Sequence, residues 1–172
     1  NESAFCRQYY LKEINIPEGV KSIGTFAFLN CRSLKEIVLP KSVTKLNVST
    51  FEGCENLEKI NLEHVERIER NAFENCKNLK GEIVISDCTT KIGTCAFELS
   101  GITSIVIGKG ITAIESGTFR SCHNLKKVIL PDGLTKIDKY AFCHCENLTE
   151  VVIPPSVKYI GDGAFWGCKL KD

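Results

Sequence analysis

The chain has 172 residues, of which 43% are hydrophobic and 25% charged, and its formal net charge is +1. This composition is that of a chain able to bury a core, and no apolar run approaches the roughly 20 residues of a membrane-spanning helix. Basic and acidic residues are interleaved, so the sequence offers neither a basic stripe for nucleic acid nor a tail of one sign for a membrane surface. We therefore expect no nucleic-acid partner and no membrane insertion by this chain.

The dominant feature of the sequence is a repeat of about 23 residues. Its most regular position is a phenylalanine that recurs every 22 to 24 residues, at Phe5, Phe28, Phe51, Phe73, Phe97, Phe119, Phe142 and Phe165. Three residues later stands a cysteine in six of the eight repeats, at Cys31, Cys54, Cys76, Cys122, Cys145 and Cys168. A unit this short cannot bury its apolar side chains alone, so the repeat predicts a solenoid in which successive coils stack.

The first predicted element of each repeat is a short strand after the cysteine, because apolar and outward residues alternate there and many are β-branched. The inward pairs are, in chain order, Ile14 and Ile16, Ile37 and Leu39, Ile60 and Leu62, Ile83 and Ile85, Ile105 and Ile107, Val128 and Leu130, Val151 and Ile153. A proline follows four of these strands, where the lack of an N–H can end strand pairing. The strand is expected to stop there and the chain to turn.

The second predicted element is another short strand, or an extended arc, before the next phenylalanine. It is indicated by the pairs Val20 and Ile23, Val43 and Leu46, Val65 and Ile68, Ile111 and Ile114, Leu134 and Ile137, Val157 and Ile160. Small length changes, such as the extra residue at Gly81, fall between these apolar positions. Each repeat should therefore form one coil, with the loops absorbing the irregularities.

The strings AFLNCRSLKEIVLPKSVTKLN and AFCHCENLTEVVIPPSVKYIG resemble the BspA-like class of leucine-rich repeats. The resemblance extends from Ala4 to about Leu170. It implies a mainly β or α/β solenoid, a right-handed superhelix with a parallel β-sheet on one face, and it carries no catalytic residues. Because the chain begins with Asn1 and stops in mid-repeat, we expect residues 1–172 to be one repeat domain, with about seven repeats and a truncated eighth, cut from a longer protein.

The cysteines are explained first by the repeat. A stacked column of thiols behaves as a set of small hydrophobic side chains and suits disulfide geometry poorly. The four cysteines outside the column are the more exposed candidates, and any disulfide should use one of them: Cys6, Cys88, Cys95 and Cys143.

Metal binding and catalysis find little support in the sequence. The segment Cys143–His144–Cys145 could supply zinc ligands, but Cys145 belongs to the cysteine column, which is expected to be buried. No second paired cluster completes a tetrahedral set. The histidines lie in turns without an orienting acid or an oxyanion hole in a recognisable motif. We expect no enzyme activity, no metal and no cofactor.

Two sequons occur, at Asn47 and Asn147, and would be glycosylated only in a eukaryotic secretory pathway. Asn147 also belongs to a turn column with Asn56, Asn78 and Asn124. Backbone hydrogen bonding before the strand is the favoured role of that column.

The outward face of the first strands is the candidate binding surface, because that face of a solenoid is extended and regularly spaced. Four consecutive coils place an aliphatic residue there, at Val84, Val106, Ile129 and Val152, and we call these four residues the aliphatic stripe. With strands about 4.8 Å apart, the stripe is on the order of 15 Å long. A mixed polar column borders it and includes Lys59, Glu82, Lys127 and Glu150.

An apolar strip with a charged border is typical of a protein-binding site. The alternative is that these β-branched residues stand on the surface only because they favour strands. Proteins with the resembling repeats are typically surface-exposed or secreted proteins of gut and oral bacteria or mucosal protists, and several are adhesins. The resulting prediction is a protein-binding module of a cell-surface or secreted adhesin, with a host surface or matrix protein as partner. A structural spacer, or a targeting arm of a catalytic or cell-wall-binding domain outside this chain, is the alternative.

Overall fold

The structure is a computed structural model that describes residues 2–170. It contains twelve strands of two or three residues, and the described residues form no helix. The strands after the cysteines form the first strand column, β1 (Glu36–Ile37), β3 (Lys59–Ile60), β5 (Glu82–Val84), β7 (Ser104–Val106), β9 (Lys127–Ile129) and β11 (Glu150–Val151). The strands before the phenylalanines form the second column, β2 (Lys45–Leu46), β4 (Arg67–Ile68), β6 (Lys91–Ile92), β8 (Ala113–Ile114), β10 (Lys136–Ile137) and β12 (Tyr159–Ile160).

Strands in each column pair in parallel with the equivalent strand of the next coil. In the first column β1 pairs with β3, and β5, β7, β9 and β11 form a four-stranded sheet. In the second column β2, β4 and β6 form one sheet, and β8, β10 and β12 another. The predicted solenoid with a parallel sheet on one face is confirmed. The second predicted element is a strand at five of the six predicted pairs, not at Val20 and Ile23, and β6 is a further strand that the sequence pattern did not predict.

The strand predicted around Ile14 and Ile16 is not formed. In this first coil the structure has only an isolated bridge between Ile23 and Leu46. The bond from the Lys35 N–H to the Lys12 carbonyl is long, at 3.3 Å, whereas the equivalent bond one coil later, from the Glu58 N–H to the Lys35 carbonyl, is 2.7 Å. The first coil therefore follows the path of the others without the ladder that would make it a strand.

The extra residue at Gly81 lies where the first column is interrupted, between β3 and β5. Gly81 has a φ of +93°, a backbone conformation that glycine adopts without strain. Its carbonyl accepts the N–H groups of Thr103 and Ser104, at 3.0 and 3.3 Å. Leu79 and Ile83 on either side remain buried, so the insertion is absorbed outside the core as predicted.

The phenylalanines form one stacked column through the molecule. Successive ring centroids are 5.0 to 5.6 Å apart, and neighbouring rings are within 18° of parallel. The six inner rings are at most 2% exposed, whereas Phe5 at the first coil is 37% exposed. Burying aromatic rings of this size is the largest single apolar contribution that each coil makes to the core.

The backbone around each phenylalanine forms a third hydrogen-bonded wall. The N–H groups of Phe26, Phe28 and Asn30 donate to carbonyls of the next coil at 2.7 to 3.1 Å, and later coils repeat the pattern. The geometry requires a positive φ two residues before and two residues after every phenylalanine of the column. Only four of these sixteen positions are glycine, so bulky residues such as Leu99 and Tyr140 occupy a strained conformation.

Five of the six column cysteines are buried thiols, as predicted, and Cys168 in the last coil is half-buried. Each donates its S–H to the carbonyl of the phenylalanine one coil earlier, for example Cys54 to Phe28 and Cys122 to Phe97, at sulfur-to-oxygen distances of 3.0 to 3.2 Å. Each bond links two coils while hiding the donor from water. All ten cysteines are unbridged.

One prediction about the cysteines outside the column is wrong. Cys88 is exposed, and Cys6 and Cys95 are half-buried, but Cys143 is 3% exposed. Cys143 directly follows Phe142 and lies inside the third hydrogen-bonded wall, where Ser121 N–H donates to its carbonyl at 2.8 Å. Position outside the column therefore does not by itself place a thiol on the surface.

Candidate functional site

The aliphatic stripe lies on the outer face of the first strand column. Val84 is 55% exposed, Ile129 is 45% exposed and Val152 is 84% exposed, while Val106 between them is half-buried. Their strand neighbours Ile83, Ile105 and Val128 are at most 8% exposed, so the alternation of inward and outward residues follows the sequence pattern.

Register between strands keeps the stripe continuous. Val84 is opposite Val106, and Val106 is opposite Ile129, in the parallel pairs β5–β7 and β7–β9. Main-chain bonds from Ile85 N–H to Val106 O (2.8 Å) and from Ile107 N–H to Ile129 O (2.9 Å) fix this register. The three-residue strands are therefore those that carry three of the four stripe residues, and Val152 directly follows β11.

Asn61 shows why the stripe does not extend into earlier coils. Its side-chain oxygen accepts the Leu39 N–H at 2.7 Å, and its side-chain nitrogen donates to the Leu39 carbonyl at 3.0 Å. The side chain thus continues the pairing of β1 and β3 by one residue pair and lies along the neighbouring coil. Val38, 63% exposed, is separated from the stripe by this polar bridge.

The polar column beside the stripe is largely self-paired. Lys59 lies 3.8 Å from Glu36, and Lys127 lies 3.7 Å from Glu150, each pair joining neighbouring coils. These ion pairs are well exposed, so each stabilises the fold by no more than about 1 kcal/mol. Glu82 accepts a long hydrogen bond, 3.5 Å, from the Ser104 hydroxyl and has no ion pair among residues 2–170.

The other border of the stripe is formed by the turns that follow the first strands. It carries Asp87, Lys109 and Asp132, and these turns line an open depression of about 680 Å³ together with Val84, Val106 and Ile129. Val152 lies in the adjoining depression, which Asp132 and Glu150 also line. The Lys109 N–H donates to the Asp87 carboxylate at 2.8 Å and holds one turn against the next. The candidate site is therefore a shallow groove with an aliphatic floor and charged borders on both sides.

Two sets of ion pairs lie outside this groove, and the sequence motifs did not predict them. Glu69, beside the second strand column, lies 3.6 Å from Lys45, 3.1 Å from Arg67 and 2.8 Å from Lys91. Burial by itself would raise the pKa of the Glu69 carboxyl, but hydrogen bonds and charges from Lys91 and Arg67 lower it overall. This cluster is a network among three coils.

The second ionic group is the pair formed by Glu98 and Arg120. Glu98 is 6% exposed and accepts two hydrogen bonds from the Arg120 guanidinium, one of them 2.8 Å long. The two residues are 22 positions apart, which is the length of a repeat. The repeat spacing was the signal that could have predicted this contact.

The side chains of Cys143, His144 and Cys145 lie in different environments and do not converge on one site. The Cys145 thiol is bonded to the Phe119 carbonyl, Cys143 is buried, and the His144 ring packs against Trp166 with centroids 4.9 Å apart. Within residues 2–170, no group of three or more His, Cys, Asp or Glu side chains is arranged to hold a metal ion.

The turn asparagines make the predicted hydrogen bonds to the backbone at two of four positions. Asn56 donates to the Arg32 carbonyl at 2.9 Å, and Asn147 donates to the His123 carbonyl at 2.7 Å. Asn78 donates instead to the Asn56 side chain, which extends the same ladder. The Asn47 side chain is also engaged, since it donates to Ile23 O at 2.6 Å.

Comparison with known proteins identifies the family to which this repeat belongs. The family model of the BspA type leucine rich repeat region matches in six copies over residues 1–122 and 67–172. The chain is therefore a leucine-rich repeat protein. More particularly, it belongs to the BspA type of that class.

Solved structures share the fold. The chain is 34% identical to the leucine-rich repeat protein TpLRR of T. pallidum, with a TM-score of 0.84 over 89% of this chain and 72% of that one. It is 29% identical to a leucine-rich repeat protein of Bacteroides ovatus, with a TM-score of 0.73 over 94% of this chain and 50% of that one. A leucine rich cell surface protein of Faecalibacterium prausnitzii has the same fold at 23% identity, with a TM-score of 0.62 over 96% of this chain and 62% of that one.

The chain thus spans half the length of the Bacteroides protein. No curated protein sequence matches it significantly. Within the described residues, no helix is long and apolar enough to cross a membrane.

Proposed function

We propose that this chain is a protein-binding module without enzymatic activity, that it belongs to a cell-surface or secreted adhesin, and that it recognises a host or other partner protein through the aliphatic stripe. The single observation that carries the proposal is the row of outward aliphatic side chains on four consecutive coils, three of them exposed and Val106 half-buried, with Val84, Val106 and Ile129 held in register by the sheet. Rows of this kind with charged borders are typical of the centre and rim of protein interfaces.

The surface or secreted location rests on membership of the BspA-type family. The partner is expected to be a host surface or matrix protein, because such proteins are what adhesins of this kind encounter. The charged residues Lys59, Glu82, Lys127 and Glu150 form the rim, where they set partner choice and association rate more than affinity.

The experiment is a double substitution within the stripe, Val106→Lys and Ile129→Lys. Both side chains point outward, so the free energy of unfolding should change by no more than about 1 kcal/mol. Partner proteins captured from a host-surface or matrix extract by the unmodified chain should be lost, because two charges would have to be desolvated at the centre of the interface. The affinity for a captured protein should fall about 30-fold or more.

Two controls separate binding from folding. Thr112→Lys with Thr135→Lys adds the same two charges to the same two coils on the side of the second strand column, where the next coil already carries Lys158. That variant should bind normally. Ile105→Lys, at a position that is 0% exposed, should instead disrupt folding because it buries an unpaired charge. A folded Val106/Ile129 variant with unchanged affinity would exclude the stripe and leave the charged column or the convex turns as the binding surface, whereas failure of the unmodified chain to capture any partner would favour the spacer or targeting-arm alternative.

A further inference from the structure

One end of the aliphatic stripe is acidic. Glu82 and Asp87 stand on the two borders of the groove on either side of Val84, and Glu63 of the preceding coil lines the adjoining depression. Within residues 2–170, none of these three carboxylates lies within 4 Å of a cationic side chain. Near the other end Lys127 and Glu150 are paired with each other, and among the described residues Asp132 is the one further border carboxylate there. The groove thus has an excess of negative charge at one end of an apolar floor.

The spacing of the stripe selects among the forms that a partner segment can take. Stripe residues repeat about every 4.8 Å, so four of them span about 15 Å. An α-helix lying along the solenoid axis advances about 5.4 Å per turn, and four successive apolar positions on one face span about 16 Å. An extended segment repeats its side chains on one face about every 6.7 Å, and four of them span about 20 Å.

The width of the groove limits the number of helices that it can hold. Glu82 and Asp87 mark its borders and are separated by five residues of chain, which reach no further than about 17 Å. A helix with its side chains is about 10–12 Å across. Two helices therefore cannot lie side by side between the borders.

Building on the proposed function, we infer that the partner presents an amphipathic α-helix to this groove. The helix runs along the solenoid axis and places one large apolar side chain per turn over Val84, Val106, Ile129 and Val152. It carries Lys or Arg at the end that lies over Val84, where it meets Glu82, Asp87 and Glu63. Apolar register sets the position of the helix, and the acidic end sets its direction.

The test uses two displayed peptide libraries as probes for the whole chain. In one library a stapled helix of about four turns is randomised along one face, with apolar positions one turn apart. In the other a peptide of equal length is randomised in a proline-flanked extended frame with alternating apolar positions. Both are selected on the unmodified chain and counter-selected on the Val106→Lys/Ile129→Lys variant.

We expect peptides to be enriched from the helical library only, with apolar residues at i, i+4, i+7 and i+11 and with Lys or Arg at one end. The double variant Glu82→Gln/Asp87→Asn should weaken an enriched peptide about tenfold. The matched control Glu13→Gln/Glu18→Gln removes the same charge from the first coil and should change affinity less than twofold. Enriched peptides should gain helical circular dichroism on binding if their staple is removed.

Three results would overturn the inference. They are enrichment of the extended library, equal effects of the two carboxylate double variants, and no enrichment of either library above the counter-selection. Failure of the helix inference remains distinct from failure of the proposed function. If the peptides fail but Val106→Lys/Ile129→Lys still abolishes capture of a natural partner, the binding surface stands and its helical occupant does not.

Discussion

Replacing Phe119 by alanine tests the stacked phenylalanine column at one of its fully buried positions. The side chain is 0% exposed, and its ring stacks on Phe97 and Phe142 with centroid distances of 5.6 and 5.2 Å. Truncating a buried phenylalanine costs about 3–5 kcal/mol through lost burial and the cavity left behind. Each aromatic pair adds about 0.5–1.5 kcal/mol, and two pairs are lost here, so we expect a loss near the upper end, about 4–5 kcal/mol.

The matched control is Phe5→Ala in the first coil. Phe5 is 37% exposed and stacks on one neighbour, Phe28, so its loss should be less than about 2 kcal/mol. Stability is measured by guanidinium unfolding, followed both by far-ultraviolet circular dichroism and by the fluorescence of Trp166. Two probes are needed because coils of a solenoid can unfold separately. A loss of only about 1 kcal/mol for Phe119→Ala, or one no larger than for Phe5→Ala, would refute the column as the core of the fold.

Three further predictions concern the thiols and the strained backbone. Thiol labelling of the native protein should modify Cys88 first and should leave four column cysteines unmodified until denaturation, namely Cys54, Cys76, Cys122 and Cys145; rapid labelling of these four would contradict the buried column. Burial raises the pKa of the Cys31 thiol to about 11 and those of Cys54 and Cys76 further, so unfolded thiols ionise above their ordinary pKa of 9.0 while native ones stay protonated. The contribution of the buried thiols to the free energy of unfolding should therefore be fully present below pH 9 and should decrease between pH 9 and 11. The decrease should be smaller in the Cys54→Ala/Cys76→Ala variant, and parallel pH profiles for this variant and the unmodified chain would count against burial of the thiols as the cause. Replacing Leu99 by asparagine should stabilise the chain by about 0.5–1 kcal/mol, because Leu99 has a φ of 57° and asparagine tolerates this left-handed conformation better than leucine. Asparagine already occupies the equivalent positions 30 and 75, and Leu99 is 38% exposed, so little burial is lost. A lower guanidinium midpoint for the Leu99→Asn variant would contradict the prediction.

The sequence by itself determined the coil. The 22-to-24-residue spacing of phenylalanine and cysteine requires that equivalent residues stack, since only stacking buries them. The two-residue alternation around Ile105 and Val106 then assigned the inward and outward faces correctly. These properties follow from local period and hydrophobicity alone, which is why they could be predicted without coordinates.

The tertiary structure decided which side chains of each coil contact the neighbouring coil. That Asn61 bonds to the backbone of Leu39, and that Arg120 pairs with Glu98, depends on which side chains meet across a particular interface. The period gives the distance between such residues but not their partners. The strand missing at Ile14 and the burial of Cys143 likewise depend on a neighbouring coil or wall, which no single repeat contains.

The same division applies to the candidate site. Alternation predicted the four stripe residues, because an outward β-branched residue needs only its own strand to be recognised. The groove around them, with an acidic end at Glu82 and Asp87, could not be predicted, because its second border comes from turns whose position is fixed by contacts between coils. Side-chain direction is encoded within a strand, whereas the shape and charge of a surface arise only when several coils are placed side by side.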